Sequence, residues 1–513
     1  MAEQHKLVRI SSLKGVAEFR RHVLSLGIDL PCDDEILRGQ NSPLARPVQH
    51  ITVNGKRIGN RFAVHPMEGW DGTTTGGITD DVRRRWQRFG QSGAKLICGG
   101  EAMAVRPDGR ANPHQLIVSE ETKSDLAELR QLLVNTHCER FGTAEDLVIG
   151  FQLTHSGRFC KPNDPFRGEP RVAYRHPILD RKFGVTSDAQ VFNDPEIEDL
   201  VDAYVSAAKI AWDAGADFVD IKHCHGYLLH EFLSAHSRPG KYGGRFENRT
   251  RILREIVEGI RASGNKIDIG VRLSAFDFVP FKPDPAWTLP GKLGPGVPEE
   301  FALPYPFAFG VKQDNPVEPD LTETFRFADL CVKLGVKILN LTGGSPYYNP
   351  HIQRPAAYPP SDGYQPPEDP LAGVARQVNA VRKVREFLDA ANVAGGAAPS
   401  ALGQNASSQE ASPLVVVGSA YSYLQEYLPH VAQYVLRQRW TDLVGIGRMV
   451  LAYPAVFADA IEKGMLEKKE LCRTFSDCTT APRHGLISGC YPLDDYYASK
   501  AESQKLKSIK KGG

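Results

Sequence analysis

Residues 217–251 read DFVDIKHCHGYLLHEFLSAHSRPGKYGGRFENRTR, the most informative stretch of the chain. It opens on the apolar run 217–221, which is typical of a buried strand. Titratable side chains then crowd the point where the strand should end, and a helical pattern follows from Glu247. Barrel enzymes build their sites in this way, with polar groups at a strand end just before a helix. A strand end with solvated polar residues gives the same pattern, so the rest of the chain must decide.

The same rhythm of a short β-rich run followed by an amphipathic segment recurs along the chain. Such alternation predicts a parallel sheet covered by helices. Eight units occur, the number that closes a (β/α)8 TIM barrel, so the predicted fold class is α/β. The predicted strands are 61–65, 95–98, 147–153, 218–222, 267–273, 336–341, 414–418 and 443–447, followed by helices near Thr79, Glu120, Pro195, Glu247, Leu321, Leu371, Leu424 and Ala455.

Several intervals are too long to be plain barrel connections. Those that follow the third, fifth and sixth strands leave C-terminal strand ends, where substrate-shaping loops lie. A run rich in Ala, Gly and Ser precedes the seventh strand, so it is predicted to be a flexible insertion on the opposite face. The predicted organisation is an N-terminal extension 1–50 under the barrel floor, a barrel 51–465 with loops 154–194, 276–320 and 343–369 and an insertion 392–412, and a C-terminal extension 466–513.

Composition excludes several classes of function. A formal charge of +1 over 513 residues argues against a nucleic-acid-binding surface. The chain has no run of eighteen apolar residues and no apolar signal core at its N-terminus, so neither a membrane span nor a secretory leader is expected. Nine scattered cysteines are typical of reduced thiols in a cytoplasmic protein.

Seven segments in chain order resemble the motifs of the Old Yellow Enzyme family of FMN-dependent oxidoreductases, over about residues 50–460. The resemblance implies a single FMN-binding barrel, related to the N-terminal domain of 2,4-dienoyl-CoA reductase, that accepts electrons from NAD(P)H. The segments are NRFAVHPMEGWDG (60–72), GGEAMAVRPDGR (99–110), GFQLTHSGR (150–158), the stretch 217–251, GVRLS (270–274), VVVGSAY (415–421) and LVGIGRMVLAYP (443–454).

The resemblance assigns most of these motifs to a non-covalently bound FMN. Gln152 can donate and accept hydrogen bonds at once, which suits the pyrimidine edge of a flavin. A cation at Arg272 would stabilise the reduced, anionic ring. Taken alone, several segments fit a purely structural reading: a strand broken by Pro66, a small core residue at Ala102, an ion pair of Arg272. The implied cofactor-binding residues are His65, Pro66, Met67, Glu68, Ala102, Gln152, Arg272, Gly418, Gly447 and Arg448, and Trp70 would cover the substrate.

The implied catalytic residues are Lys222, His225 and Tyr227. In the family, two residues three apart hold the electron-withdrawing oxygen of the substrate, and a tyrosine two positions later supplies a proton. His225 and Tyr227 match, but Lys222 stands where the family has histidine, and Glu68 stands where it has a small polar residue. Positions three apart on a strand face opposite sides, so the backbone must leave strand geometry here. We expect Lys222 and Glu68 to be coupled, and His223 to point away from the site.

The C-terminal extension resembles the region where dienoyl-CoA reductase relatives bind a 4Fe–4S cluster. Cys478 and Cys490 fit two ligand positions, Cys472 lies at the wrong offset, and a fourth thiolate is missing. Because such clusters need four thiolates, we expect no cluster and no metal site here.

The leading hypothesis is an oxidoreductase that passes hydride from NAD(P)H through FMN to an activated alkene. A demethylating or dehydrogenating flavoprotein of the same superfamily, and a flavin-binding protein that has lost turnover through Lys222 and Glu68, remain as alternatives. The expected partners are NAD(P)H and a small-molecule substrate, without nucleic acid or membrane. The sequence leaves a homo-oligomer, the choice between NADH and NADPH, and the physiological substrate open.

Overall fold

The computed structural model describes residues 7–287, 293–361, 363–395 and 414–512. Its strands are β1 (Phe62–Val64), β2 (Leu96–Ile97), β3 (Ala102–Ala104), β4 (Val148–Thr154), β5 (Phe218–His223), β6 (Asp268–Ser274), β7 (Phe281–Pro283), β8 (Gly296–Pro298), β9 (Ile338–Thr342), β10 (Val415–Gly418) and β11 (Leu443–Ile446). Its α-helices are α1 (Val16–Ser25), α2 (Asp80–Gln91), α3 (Lys123–Phe141), α4 (Leu179–Phe183), α5 (Asp194–Asp213), α6 (Leu228–Leu233), α7 (Phe246–Arg249), α8 (Arg251–Ala262), α9 (Thr322–Lys333), α10 (Pro350–Gln353), α11 (Pro370–Gly395), α12 (Leu428–Arg437), α13 (Met449–Ala452), α14 (Val456–Glu462), α15 (Asp477–Arg483), α16 (Asp495–Ala498) and α17 (Ala501–Gly512). Turns of 3-10 helix are Ile10–Ser12, Gly39–Asn41, Pro43–Ala45, Pro107–Gly109, Gly157–Phe159, Asp188–Gln190 and Tyr421–Tyr427.

Eight of these strands close into a parallel barrel, which confirms the predicted fold class. The order is β1, β2, β4, β5, β6, β9, β10 and β11, and β11 pairs back with β1. In the register of the central strands, Lys222 lies opposite Arg272, and Arg272 lies opposite Asn340. These positions lie near the C-terminal ends of β5, β6 and β9. The register therefore brings three polar side chains to one end of the barrel, where barrel enzymes place their sites.

The helices follow from local sequence signals. Asn193 caps α5: its side chain accepts from the Glu196 N–H, while the Glu196 carboxylate accepts from the Asn193 N–H. The α8 residues Ile252, Ile256 and Ile260 recur every four positions and are buried against the barrel. Each barrel strand is buried on both faces, so its sequence is a nearly continuous apolar run. Among the described helices, none combines the length and apolar character that crossing a membrane would require.

The second barrel strand is interrupted, which the sequence analysis did not predict. Strand β2 pairs with the first half of β4, and β3 pairs with its second half. Between them Gly99 and Gly100 have φ of 97° and 58°, a region that only glycine adopts readily. A Cβ on Gly99 would lie 2.6 Å from the backbone nitrogen of Gln152. The two glycines therefore let the chain pass close to β4, and the next strand, β3, begins at Ala102.

The barrel floor is closed by a short segment rather than by the whole N-terminal extension. Val48, Ile51, Val53 and Ile58 pack against the first residues of the barrel strands in an apolar cluster. Residues 10–37 lie elsewhere: Phe19 stacks on Tyr427 at 4.5 Å between ring centroids, beside α12. The expectation that the first fifty residues lie under the floor is therefore wrong for most of that stretch, because Phe19 packs on Tyr427 and the segment from Asp33 to Leu37 hydrogen-bonds with α12 instead.

The long loops contain more regular structure than expected. The interval 276–320 carries the antiparallel hairpin β7–β8, and 343–369 carries α10. Helix α11 runs to Gly395, so the first four residues of the predicted insertion 392–412 are helical, and residues 396–412 lie outside the described part of the chain. The C-terminal extension folds back over the barrel mouth, where α15 lies beside β11 through a bond from Arg448 to Thr479.

Candidate active site

A cleft of about 1280 Å³, its open mouth included, lies at the C-terminal ends of the barrel strands. Residues from seven barrel strands or the loops after them line it, and the C-terminal extension supplies one wall. A large concave site with convergent polar groups is the usual form of an active site. The predicted site residues that line it are His65, Pro66, Met67, Glu68, Trp70, Gln152, Lys222, His225, Arg272, Gly447 and Arg448.

The end of β5 departs from strand geometry at the predicted place. The strand ends at His223, and His225 has φ of 66°, in the left-handed region. Its N–H donates to the Ser274 hydroxyl at 3.0 Å, which holds the turn. As a result Lys222 and His225 both face the cleft. The ring of His223 points to the other side of the barrel wall, 5.5 Å from the ring of Phe327 in α9.

Lys222 and Glu68 form an ion pair inside the cleft, as the sequence analysis expected. The lysine side chain is buried, while the glutamate keeps 23% of its side-chain surface exposed. Trp70 donates its indole N–H to the second carboxylate oxygen at 3.3 Å, and Gln115 donates to the same oxygen at 3.4 Å. A buried ammonium ion needs such a partner, because an unpaired charge loses its hydration without compensation.

Tyr227 is buried and does not line the cleft. The ammonium group of Lys222 lies 3.3 Å from the centroid of its ring, between the ring and the cleft. The Tyr227 hydroxyl lies 2.8 Å from the hydroxyl of Tyr347, which does face the cleft. Burial, and next the Glu68 carboxylate, raise the pKa of Tyr227 well above its usual value, so the phenol is neutral at pH 7.

A polar edge formed by Gln152, Asp220 and Arg272 lies deeper in the cleft. Gln152 donates its amide N–H to Asp220 Oδ2 at 2.7 Å, so its own carbonyl oxygen is left to accept. Arg272 donates to the Pro66 carbonyl at 3.0 Å. Three buried atoms here have no hydrogen-bond partner among the described residues: Arg272 Nε, Asp220 Oδ1 and Asn340 Oδ1. Buried polar atoms without partners mark a surface built to meet a polar ligand.

His65 hydrogen-bonds to residues on two sides of the deep part of the cleft. Its Nδ1 lies 3.1 Å from the Asn340 amide, and its Nε2 lies 3.0 Å from the Ser419 hydroxyl. Burial, and next the Arg272 guanidinium, hold the pKa of His65 well below its usual value. The ring is therefore neutral and orients its neighbours through hydrogen bonds.

The end of the cleft formed by β10 and β11 is cationic. Arg448 donates to the Thr479 hydroxyl. Burial, with the neighbouring Arg354 guanidinium, lowers the pKa of Arg448 to about 10, which leaves it charged at pH 7. Among the described residues neither arginine has a carboxylate within ion-pair distance. Two uncompensated guanidinium groups side by side favour an anionic ligand group.

Three predicted residues lie outside the cleft lining. Ala102 is buried in β3, where its carbonyl accepts from Gln115 at 2.9 Å. Gly418 is the last residue of β10, and the next residues, Ser419 and Ala420, are the ones that face the cleft. Tyr227 is covered by Lys222. For Gly418 and Tyr227 a neighbouring residue lines the cleft instead, a displacement that strand spacing alone does not reveal.

Residues 48–285 match the profile of the NADH:flavin oxidoreductase / NADH oxidase family. This part of the chain is similar to that family. A NADH:flavin oxidoreductase of Gibberella zeae is 29% identical over 272 residues, which cover 48% of this chain and 61% of that protein. An NADPH dehydrogenase of Geobacillus sp. is 32% identical over 239 residues, 45% of this chain and 63% of that protein. The matched part thus spans less than two thirds of these relatives.

The fold agrees with that similarity. The Old Yellow Enzyme homologue from Zymomonas mobilis superposes with a TM-score of 0.52 at 20% identity, over 83% of this chain and 94% of that one. Since identity is low, the likeness speaks for the barrel and not for the reaction. The match to the NADH:flavin oxidoreductase / NADH oxidase family model and the barrel architecture confirm the predicted resemblance and the predicted fold.

The C-terminal extension contributes cleft residues outside the part matched by the family, and the sequence analysis missed them. Arg483, Ser488, Thr479 and Cys478 line the cleft. The missed Tyr347 and Arg354 come from the loop after β9, one of the three intervals predicted to shape the site. The sequence contained one usable signal, the aromatic pair Tyr347 and Tyr348 just after a strand end.

The cysteines of this extension lie near Arg448 and Arg354. Arg354 lies 3.7 Å from the Cys472 sulfur. Among the described residues no group of three or more His, Cys, Asp or Glu side chains converges as a metal site would. All nine thiols are free in the structure.

The buried carboxyl group of Asp220 should make the stability of the protein depend on pH. Burial raises its pKa from 3.8 to about 6. The folded protein therefore binds a proton more tightly than the unfolded chain, and stability falls as the pH rises from about 4 to about 6. Two pKa units correspond to about 3 kcal/mol. The Asp220→Asn variant keeps the hydrogen bond from Gln152 but has no carboxyl group to ionise. We therefore expect its free energy of unfolding to exceed that of the wild type by up to about 3 kcal/mol at pH 7 and by little at pH 4. Urea unfolding of the two apoproteins measures the difference. An equal difference at both pH values would contradict this.

Proposed function

We propose that this chain is an FMN-dependent NAD(P)H oxidoreductase that reduces an electron-poor alkene. One observation carries the proposal: Arg272, Gln152 and the partnerless polar atoms beside them form a polar edge in the cleft, and Lys222 and His225 at the end of β5 line the same cleft. The similarity to the NADH:flavin oxidoreductase family suggests the cofactor class, and the cleft supplies a place for it. The proposal includes a cytoplasmic location, which the nine free thiols support.

The residues fit a flavin mononucleotide. The Gln152 carbonyl can accept from the pyrimidine N–H, and Arg272 Nε has a hydrogen to donate. The space beside Gly447 is open to a ligand, since a Cβ added there would have no atom closer than 3.5 Å. Arg448 and Arg354 provide the positive charge that a phosphate group needs. Bound FMN would supply hydride transfer from NAD(P)H to the substrate.

The chain's own residues would hold the substrate. Burial, and next the Arg272 and Lys222 cations, keep the pKa of His225 well below its usual value, so a neutral imidazole faces the cleft at pH 7. That imidazole can donate one hydrogen bond to the activating oxygen of an enone, and the Lys222 ammonium can donate another. Preorganised donors at the place where negative charge develops lower the barrier most.

The ion pair with Glu68 gives this site a property of its own. Glu68 neutralises Lys222 in the free protein, so the cation becomes fully available only when the substrate replaces one of its bonds. A substrate with a carboxylate or a strongly developed oxyanion would compete best with Glu68 for the ammonium group. We therefore propose an enone, enoate or related electron-poor alkene as the substrate class.

The division into an extension 1–50, a barrel 51–465 and an extension 466–513 stays part of the proposal, with one addition. The last of these supplies residues to the cleft, so a protein truncated at residue 465 is not expected to keep the site.

Purified protein is expected to be yellow and to carry FMN in a one-to-one ratio. Apoprotein should bind FMN more tightly than riboflavin, because Arg448 and Arg354 recognise the phosphate. The Arg272→Met variant should bind FMN and riboflavin roughly tenfold more weakly or worse, since a charged hydrogen bond contributes about 1.5–3 kcal/mol. Fluorescence titration of the apoprotein measures these affinities. The matched control is Arg326→Met, which removes an exposed arginine on α9 and should leave them unchanged.

Stopped-flow mixing separates the alternatives. Rapid bleaching by NADPH or NADH, followed by reoxidation with cyclohexenone, is the expected result. Bleaching by an amine donor would instead support the dehydrogenating alternative. A colourless protein that does not bind added FMN would overturn the proposal.

A further inference from the structure

Tyr227 is shielded from the cleft on two sides. The Lys222 ammonium group lies 3.3 Å from its ring centroid, held there by Glu68. The phenol hydroxyl points instead toward Tyr347, with 2.8 Å between the two oxygens. Tyr227 keeps only 1% of its surface exposed, and the cleft lining includes Lys222 and Tyr347 but not Tyr227. A substrate in the cleft would therefore meet the hydroxyl-bearing ring of Tyr347 first.

Tyr347 is fixed in that position by its neighbours. Its ring stacks on Phe159, with 3.9 Å between centroids and an interplanar angle of 19°. Its backbone N–H donates to the Ser345 hydroxyl at 3.3 Å. The Arg483 guanidinium lies 5.5 Å from the ring, on the cleft side. Stacking and a fixed loop leave the hydroxyl with little freedom, which is what a proton donor needs to keep its geometry.

We propose that Tyr347 is the catalytic residue that protonates the substrate, and that Tyr227 is a positioning residue behind it; this rests on the function proposed above. Bound FMN would supply the hydride to the β-carbon, with its two electrons coming from NAD(P)H, and the π electrons of the double bond would move toward the activating oxygen. The α-carbon would form a C–H bond with the Tyr347 proton as the O–H bond of Tyr347 breaks. The alkene would thus gain one hydride and one proton, and Tyr347 would recover its proton from solvent at the cleft.

The second tyrosine stabilises the charge that Tyr347 acquires. When the Tyr347 oxygen becomes a phenolate, Tyr227 can donate its hydroxyl hydrogen across the 2.8 Å separation. A hydrogen bond to an ionised acceptor is about twice as strong as a neutral one. The Lys222 cation over the Tyr227 ring stabilises this polarisation further. The contacts therefore run in series from the end of β5 to the substrate, through Lys222, Tyr227 and Tyr347.

The test compares Tyr347→Phe, Tyr227→Phe and the double variant in the FMN-loaded full chain. Positioned general acids contribute about 10²–10⁴-fold, so Tyr347→Phe should slow reoxidation by cyclohexenone about 100-fold or more. Tyr227→Phe should slow it about tenfold, and the double variant should be no slower than Tyr347→Phe, because the two residues act in series. Reduction by NADPH should stay within about twofold in all three. Equilibrium binding of cyclohexenone to the oxidised protein should be unchanged, since Lys222 and His225 hold its oxygen.

The neighbouring tyrosine provides a matched control. Tyr348 bears the same hydroxyl one position away, but it donates to Asp277 inside the loop and does not face the cleft. Cyclohexenone should therefore reoxidise the FMN-loaded Tyr348→Phe variant at nearly the wild-type rate. Wild-type reoxidation in Tyr347→Phe together with a large loss in Tyr227→Phe would overturn the inference and make Tyr227 the direct donor. A wild type that NADPH bleaches but no alkene reoxidises would overturn the proposed function itself, a result distinct from either pattern.

Discussion

The Arg85→Met variant is expected to lose about 3–5 kcal/mol of its free energy of unfolding. Arg85 is buried in α2 between two buried carboxylates, with Glu101 at 2.5 Å and Asp71 in direct contact. Methionine fits the helix as well as arginine does, but it leaves both carboxylates in an apolar surrounding without a cation. Urea unfolding of the wild type and the variant at pH 7.5 measures the loss.

The pH gives this prediction a signature. Burial raises the pKa of Asp71 and of Glu101, and the Arg85 cation opposes that rise. Without Arg85 both carboxyl groups bind protons more readily in the folded protein than in the unfolded chain, so the variant gains stability as the pH falls. The gap between the two proteins should be smaller at pH 5 than at pH 7.5. A gap that does not change with pH would mean that the loss comes from packing alone.

An exposed ion pair on the same helix is the matched control. Arg83 contacts Glu128 at 2.6 Å, but the two side chains keep 36% and 50% of their surface exposed. Arg83→Met should cost at most about 1 kcal/mol. Arg85 also holds the C-terminal extension, since it donates to the Ser488 carbonyl at 3.2 Å while Asp71 accepts from the Ser488 N–H at 2.7 Å. Limited proteolysis should therefore cut the extension faster in Arg85→Met than in Arg83→Met.

The Lys222→Met variant is expected to reduce an enone about 10²–10³-fold more slowly than the wild type, the usual cost of removing one donor to a developing oxyanion. It also leaves the Glu68 carboxylate in the cleft without its cation. A negative charge near the ring disfavours the reduced, anionic flavin, so the reduction potential should fall. Steady-state kinetics and a potentiometric titration measure the two effects.

The partner variant separates charge from contact. Glu68→Gln keeps one oxygen, which can accept from Lys222 or from Trp70, and removes the negative charge. The double variant Lys222→Met/Glu68→Gln should recover most of the potential lost in Lys222→Met, but not the rate, because the donor is still missing. Glu68→Gln alone should shift preference toward carboxylate-bearing alkenes. An unchanged potential and substrate preference in Lys222→Met would show that the two residues are not coupled.

Most of the barrel was readable from the sequence because its signals are local. The eight strand runs and the helical segments that follow them are set by residues within a few positions of one another. The ion pair of Lys222 and Glu68 was also expected, although 154 residues separate the two, because a cation and a carboxylate departed together from one family pattern.

The parts that were missed depend on contacts between distant segments. Nothing near Tyr227 indicates that Lys222 would cover its ring, and nothing near Tyr347 indicates that its hydroxyl would reach the cleft. The N-terminal stretch was placed under the floor because its partner, the outer surface of α12, lies about 400 residues away in sequence, as the bond from Asp33 to His430 shows.

The sequence by itself determined a parallel eight-stranded barrel and the set of polar residues at its C-terminal mouth, because strand periodicity and strand ends are properties of neighbouring residues. Only the tertiary structure decided which tyrosine faces the cleft, which two arginines stand together with no carboxylate of the described residues within ion-pair distance, and that the C-terminal extension completes the wall. Those outcomes depend on how side chains from separate segments compete for the same space and the same charge, and that competition is settled when the segments pack together.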